Sequence, residues 1–97
     1  MAKGYLVICY REIRDQEKLK TYAKLAPGAM LPRGAQILVR DGRVVAFEGG
    51  LAERTVLVEF PSFEEAVDAY NSPEYQSAVA ALGDGAVRDF RIVEGVD

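Results

Sequence analysis

Arg54-Thr55-Val56-Leu57-Val58-Glu59-Phe60-Pro61-Ser62-Phe63-Glu64-Glu65-Ala66 passes from strand to helix within a few residues and decides the architecture of the chain. From Arg54 to Phe60 the residues alternate: Val56, Val58 and Phe60 point one way, and Thr55, Leu57 and Glu59 the other. That is the period of a strand with one apolar face. Ser62 then offers its hydroxyl to the first free amides of a helix, and Glu65, three residues on, can reach back to the Ser62 amide, which makes a capping box. Phe63, Ala66, Val67 and Tyr70 form the buried stripe of that helix. Ser72-Pro73 restarts it with serine at the cap and proline at the first helical position. Tyr75, Ala78, Val79 and Leu82 continue the apolar face until Gly83 and Gly85 stop it.

Working outward, Val87 to Glu94 is the last strand, with Phe90 and Ile92 alternating against Asp89, Arg91 and Val93. Upstream, Gly4 to Tyr10 is a nearly continuous apolar run and reads as a central strand. Asp15 is placed to cap a first helix, whose apolar face is Leu19, Tyr22, Ala23 and Ala26. Pro27-Gly28 is expected to end or kink that helix. Gln36 to Asp41 alternates again, and Asp41-Gly42 is a tight hairpin signal with a return arm from Arg43 to about Glu48. The order is β-α-β(hairpin)-β-α-β, the pattern of an α+β ferredoxin-like domain. Its antiparallel sheet carries both helical segments on one face, and one such domain is expected over residues 1–97.

Composition narrows the function. At 97 residues a fold buries only roughly 60–65% of its unfolded surface, so a partner helps. Cys9 is the only cysteine; it sits in an apolar run, reads as a small buried hydrophobe, and implies a reducing, cytoplasmic setting. Met1-Ala2-Lys3-Gly4 lacks the features of a signal peptide, and no apolar stretch reaches the roughly 20 residues of a membrane helix. A net charge of −3 with scattered basic residues gives no nucleic-acid footprint. The sequence has no histidine, which removes the commonest general base and the commonest transition-metal ligand. Neither metal nor cofactor is expected.

Two helices cover one side of the sheet. The purely apolar sets (Ile37 and Val39; Val56, Val58 and Phe60; Phe90 and Ile92) belong there, which leaves Leu38, Leu57 and Val93 with Arg40, Glu59 and Arg91 on the open side. That side is too apolar for water and too charged for a dry core. A second copy facing it, enclosing a semi-polar lumen, resolves the conflict.

The segment Val58 to Ala66, with Tyr70-Asn71-Ser72-Pro73-Glu74-Tyr75-Gln76, Glu48-Gly49 and the ending Ile92 to Asp97, resembles the signature of the domain-of-unknown-function family 1330. The resemblance spans essentially the whole chain. It implies the dimeric α+β barrel superfamily, a ferredoxin-like fold that pairs sheet to sheet. That superfamily includes cofactor-independent monooxygenases, muconolactone-isomerase-like enzymes and haem-handling proteins. Two departures stand out: Leu82 is followed by Gly83 where the family often has arginine, and Gly34-Ala35 replaces paired glycines. If that arginine meets an anionic ligand in the family, its binding here is in question.

Three groups of candidate site residues follow. Arg40, Glu59 and Arg91 can meet in the lumen and hold a small polar or anionic molecule, or else form ion pairs that fix dimer register. Glu48, before the Gly49-Gly50 loop, can act as a base if buried or can anchor the loop through Arg43 or Arg54. Tyr70 and Tyr75 can orient a ligand, or be core and rim residues, as can Tyr22. The functions these support are a ligand-binding homodimer, a monooxygenase- or isomerase-like enzyme, and a non-catalytic regulatory module.

Overall fold

The sheet runs through β1 (Gly4–Ile13), β2 (Gln36–Val39), β3 (Thr55–Phe60) and β4 (Ala86–Glu94) in the spatial order β2-β3-β1-β4, with every pair antiparallel. The helices are α1 (Gln16–Met30), α2 (Phe63–Tyr70) and α3 (Pro73–Leu82), with a short 3₁₀ turn at Leu31–Arg33. This computed structural model describes residues 2–96, so Met1 and Asp97, the two ends of the expected domain, lie outside the described residues. The thin dimension is 17 Å, the depth of one sheet and one helical layer.

One apolar cluster joins the two layers. Leu6, Ile8 and Tyr10 of β1 and Val58 and Phe60 of β3 meet Leu19, Tyr22, Ala26, Ala66, Ala69, Tyr75, Ala78 and Leu82 from the helices. The alternation in the sequence therefore sorts the strand faces as expected in the sheet centre. Gly4 shows how closely the layers approach: a Cβ there would stand 2.5 Å from the Ser62 carbonyl oxygen and 2.7 Å from the Phe63 Cα.

The helix ends follow their caps. The Asp15 side chain accepts from the Glu17 and Lys18 amides at 3.0 and 3.1 Å. Ser62 Oγ accepts from the Glu65 amide at 3.1 Å, the forward half of the expected box. Ser72 is buried between α2 and α3, where its hydroxyl donates to the Ala69 carbonyl at 2.8 Å and accepts from the Tyr75 amide at 3.2 Å.

Four sequence expectations are corrected. First, α1 does not stop at Pro27 but continues to Met30. Proline costs about 3 kcal/mol in a helix interior, and burial of Ala29 and Met30 against the core offsets it. Second, the hairpin after Asp41-Gly42 is absent. A primed turn needs positive φ at both central residues, and neither Asp41 nor Gly42 has it; β3 itself pairs with β2, taking the place of the return arm. Third, Ile37 faces Val58 but Val39 faces Leu57, with an irregularity between them. Leu38 is thus an extra residue, which sends Val39 to the open face. Fourth, Cys9 is exposed on the open face beside Thr55 and Asp89, not buried. No helix among the described residues is long and apolar enough to cross a membrane.

Gly4→Ala is expected to lower unfolding free energy by about 1–3 kcal/mol, because backbone atoms and not flexible side chains block the added methyl. Urea denaturation followed by circular dichroism checks this, and an unchanged midpoint would contradict the packing described.

Candidate functional site

Alternation on the helix-facing side of the sheet ends, on three neighbouring strands, in polar residues. Past Leu6 and Ile8 comes Tyr10, ahead of Val56 and Val58 comes Arg54, and before Phe90 and Ile92 comes Arg88. Register brings them side by side. Tyr10 is opposite Arg88 on β4, and its amide donates to the Arg54 carbonyl at 3.0 Å on the other side. The sheet thus presents arginine, tyrosine, arginine in a row beneath α1.

Aromatic rings surround Arg88. Its guanidinium carbon lies 4.7 Å from the Tyr22 ring centroid, 5.2 Å from that of Phe90 and 5.7 Å from that of Tyr10. Cation–π attraction on several sides offsets part of the desolvation cost. Arg54 lies 5.8 Å from the Tyr10 centroid. The Tyr22 and Tyr75 hydroxyls share a hydrogen bond at 2.5 Å inside the core, and Tyr70, Tyr75 and Phe90 stack at centroid distances of 5.0–6.3 Å. Two buried guanidinium nitrogens, Arg54 Nε and Arg88 Nη1, have no hydrogen-bond partner among the described residues.

Beside this cluster a cleft of about 50 Å³ opens between α1 and the sheet. Ile8, Ala26, Met30, Ile37 and Val56 give it apolar walls, and Tyr10, Tyr22, Arg40 and Arg54 give it polar groups. Arg40, just past the end of β2, arrives there because of the extra residue at Leu38: the bulge reverses the side on which the residues after it fall. Asp41 stands 3.6 Å from Arg54 but is largely exposed.

The six residues singled out from sequence fall in different places. Arg40 lines the cleft. Glu59 and Arg91 remain on the open face, where Glu59 pairs with Lys3 at 3.3 Å and Arg91 with Asp89 at 2.9 Å, so Arg40 does not join them. Tyr75 is wholly buried, and Tyr70 packs on it at the core margin. Glu48 is exposed in a turn at φ 53, far into the left-handed region that non-glycine residues avoid. Sequence reasoning passed over Tyr10, Arg54 and Arg88. The signal was present in their parity, since each continues an apolar face with a polar residue.

Burial pushes the phenols of Tyr10 and Tyr75 above their ordinary value; the Tyr22 hydroxyl adds to this for Tyr75, and the Arg88 charge opposes it at both. The folded chain therefore holds protons that the unfolded chain releases above about pH 10. Stability is expected to be flat below that pH and to fall above it by about 1.4 kcal/mol per pH unit for each tyrosine. Urea midpoints at pH 8 to 11 check the slope, and midpoints that do not fall above about pH 10 would contradict it. Tyr22→Phe, which strands the Tyr75 hydroxyl, is expected to cost about 1–3 kcal/mol at neutral pH.

Comparison with known proteins agrees with this geometry. Among curated protein sequences none matches the chain. Solved structures match in fold: RPA0582 of Rhodopseudomonas palustris has TM-score 0.72 at 18% identity, over 96% of this chain and 80% of that one. A dimeric ferredoxin-like protein of Thermobifida fusca has TM-score 0.57 at 14% identity, over 96% and 89% of the two chains. SnoaB of Streptomyces nogalater, a cofactor-independent oxygenase, has TM-score 0.54 at 6% identity, over 95% and 89%. A family model covers residues 3–96. The chain therefore belongs to the family described as Domain of unknown function (DUF1330), with a ferredoxin-like α+β fold.

Proposed function

We propose that the protein is a homodimer, joined through its open sheet face, that binds a small organic molecule in the cleft between α1 and the sheet. The observation that carries this reading is the cleft itself, where apolar walls end in convergent tyrosine and arginine groups, among them Arg54, whose Nε has no partner among the described residues. A single 97-residue domain acting in the cytoplasm suits it, the exposed thiol of Cys9 fitting a reducing compartment.

Binding is favoured over turnover. The phenol of Tyr10, one of the two tyrosines at the cleft, is raised by burial and so is a poor proton acceptor at neutral pH. The oxygenase chemistry of SnoaB, a fold relative at 6% identity, supplies the alternative. A second copy is the best cover for the open face, because Tyr5, Val7, Val39, Leu57 and Val93 alternate there with Glu59, Asp89 and Arg91. Val93 is 47% exposed without a partner, and facing sheets would bury this apolar surface. The dimeric ferredoxin-like relative from Thermobifida fusca supports the same arrangement.

Sedimentation at micromolar concentration is expected to give twice the chain mass. Val93→Asp should yield a folded monomer, since a lone surface change costs the fold only about 0.5 kcal/mol. A monomeric native chain would refute the interface. For the cleft, an NMR screen of neutral and charged fragments should place its hits on Tyr10, Ala23, Arg54 and Val56. Hits confined to the open face would overturn the cleft as the site.

A further inference from the structure

We infer that the ligand of the cleft is a short-chain carboxylate, received by Arg54 and Arg40 with its hydrocarbon end against the apolar wall; this rests on the cleft being the binding site. Charge is the first ground. Arg40 and Arg54 line the cleft, and Arg88 stands behind Tyr10 and Tyr22. Among the described residues the one carboxylate at ion-pair distance from any of these guanidiniums is Asp41, whose side chain is 71% exposed. A largely buried cation without a counter-charge is costly, and an anion in the cleft relieves Arg54 directly and Arg88 through the low-dielectric interior.

Chemistry is the second ground. Arg54 lines the cleft with a planar guanidinium fork that matches a carboxylate, and its buried Nε has no partner among the described residues. Arg88 does not line the cleft, so it positions and biases and does not touch the ligand. The wall contributed by α1 is its C-terminal half, Tyr22 to Met30, and the helix dipole there disfavours extra negative charge. One negative charge therefore fits better than the two of a phosphate. Size is the third ground. The cleft's volume of about 50 Å³ is well below the roughly 300–1,000 Å³ of a drug-sized site, which suits a tail of a few carbons.

The test is an NMR titration of the full-length nitrogen-labelled chain with sodium butanoate and, separately, with butanamide, its uncharged counterpart, at constant ionic strength. Saturable shifts from butanoate centred on Tyr10, Ala23 and Arg54 are expected, with butanamide roughly tenfold weaker or more. Arg54→Gln should weaken butanoate by a similar factor and leave butanamide unchanged. Arg40→Gln, at an exposed position that the fold does not need, should weaken butanoate by a smaller factor and serves if Arg54→Gln unfolds. Equal affinity of the two probes at the cleft would overturn the carboxylate while leaving the cleft as a site. Butanoate shifts confined to the open face would overturn both, and the absence of saturable shifts would overturn the carboxylate.

Discussion

Keeping Arg88 between the sheet and the helices is the constraint around which this end of the molecule is arranged. A guanidinium taken from water must be surrounded by groups that stabilise it or the fold loses several kcal/mol. Here aromatic faces do most of that: Tyr22 from α1, Tyr10 from β1 and Phe90 from the same strand. Those rings are fixed in turn. Tyr22 is tied through its hydroxyl to Tyr75 of α3, and Tyr75 packs on Tyr70 and Phe90. One buried charge thus organises contacts from both helical segments and from two strands, and the cleft forms where this aromatic layer gives way to the aliphatic wall of α1.

The two faces of the sheet divide the work. On the helix side the polar groups are concentrated at the strand ends, beside the cleft, and positive charge predominates. On the open side Lys3 with Glu59, and Arg11 and Arg91 with Asp89, are already paired within the chain. Paired charges bring little unmet demand for a ligand, whereas the apolar residues among them demand cover. The open face is accordingly suited to another protein surface, and the helix side to a small molecule.

Much of the fold could be read from the chain because strand parity and helix caps are local signals. The capping at Ser62 and Ser72, the termination at Gly83 and the apolar faces of β1, β3 and β4 all follow from a few neighbouring residues. The failures have non-local causes. Pro27 stays inside α1 because Ala29 and Met30 find a core to fill, a fact of tertiary packing. The Asp41-Gly42 hairpin loses to a direct β2–β3 pairing that no local rule favours. Arg40 was assigned to the wrong side since one extra residue at Leu38 inverts everything after it, and bulges leave no mark in composition. The cleft was partly legible: arginine at positions 54 and 88, in phase with Val56 and Phe90, is a polar break in an apolar face and so a reason to look for a site. Tyr75 was legible as part of the apolar face of its helix, and of the readings open to it, ligand-orienting, rim or core, it is the centre of the core.

The long segment between β2 and β3 begins at Arg40 and ends at Arg54, so both of its ends stand on the rim of one cleft. Its middle carries Val45 and Phe47, 74% and 73% exposed, with little to hold them. A molecule gripped by both arginines would act as a clasp on this segment and shrink the range of shapes open to it. The pairing of Val39 with Leu57 already closes this loop, so a clasp at its ends would cost little further chain entropy. Occupancy of a site on one side of the sheet would in this way be felt by a loop whose Gly49, Gly50 and Leu51 border the other side, next to Cys9 and Asp89.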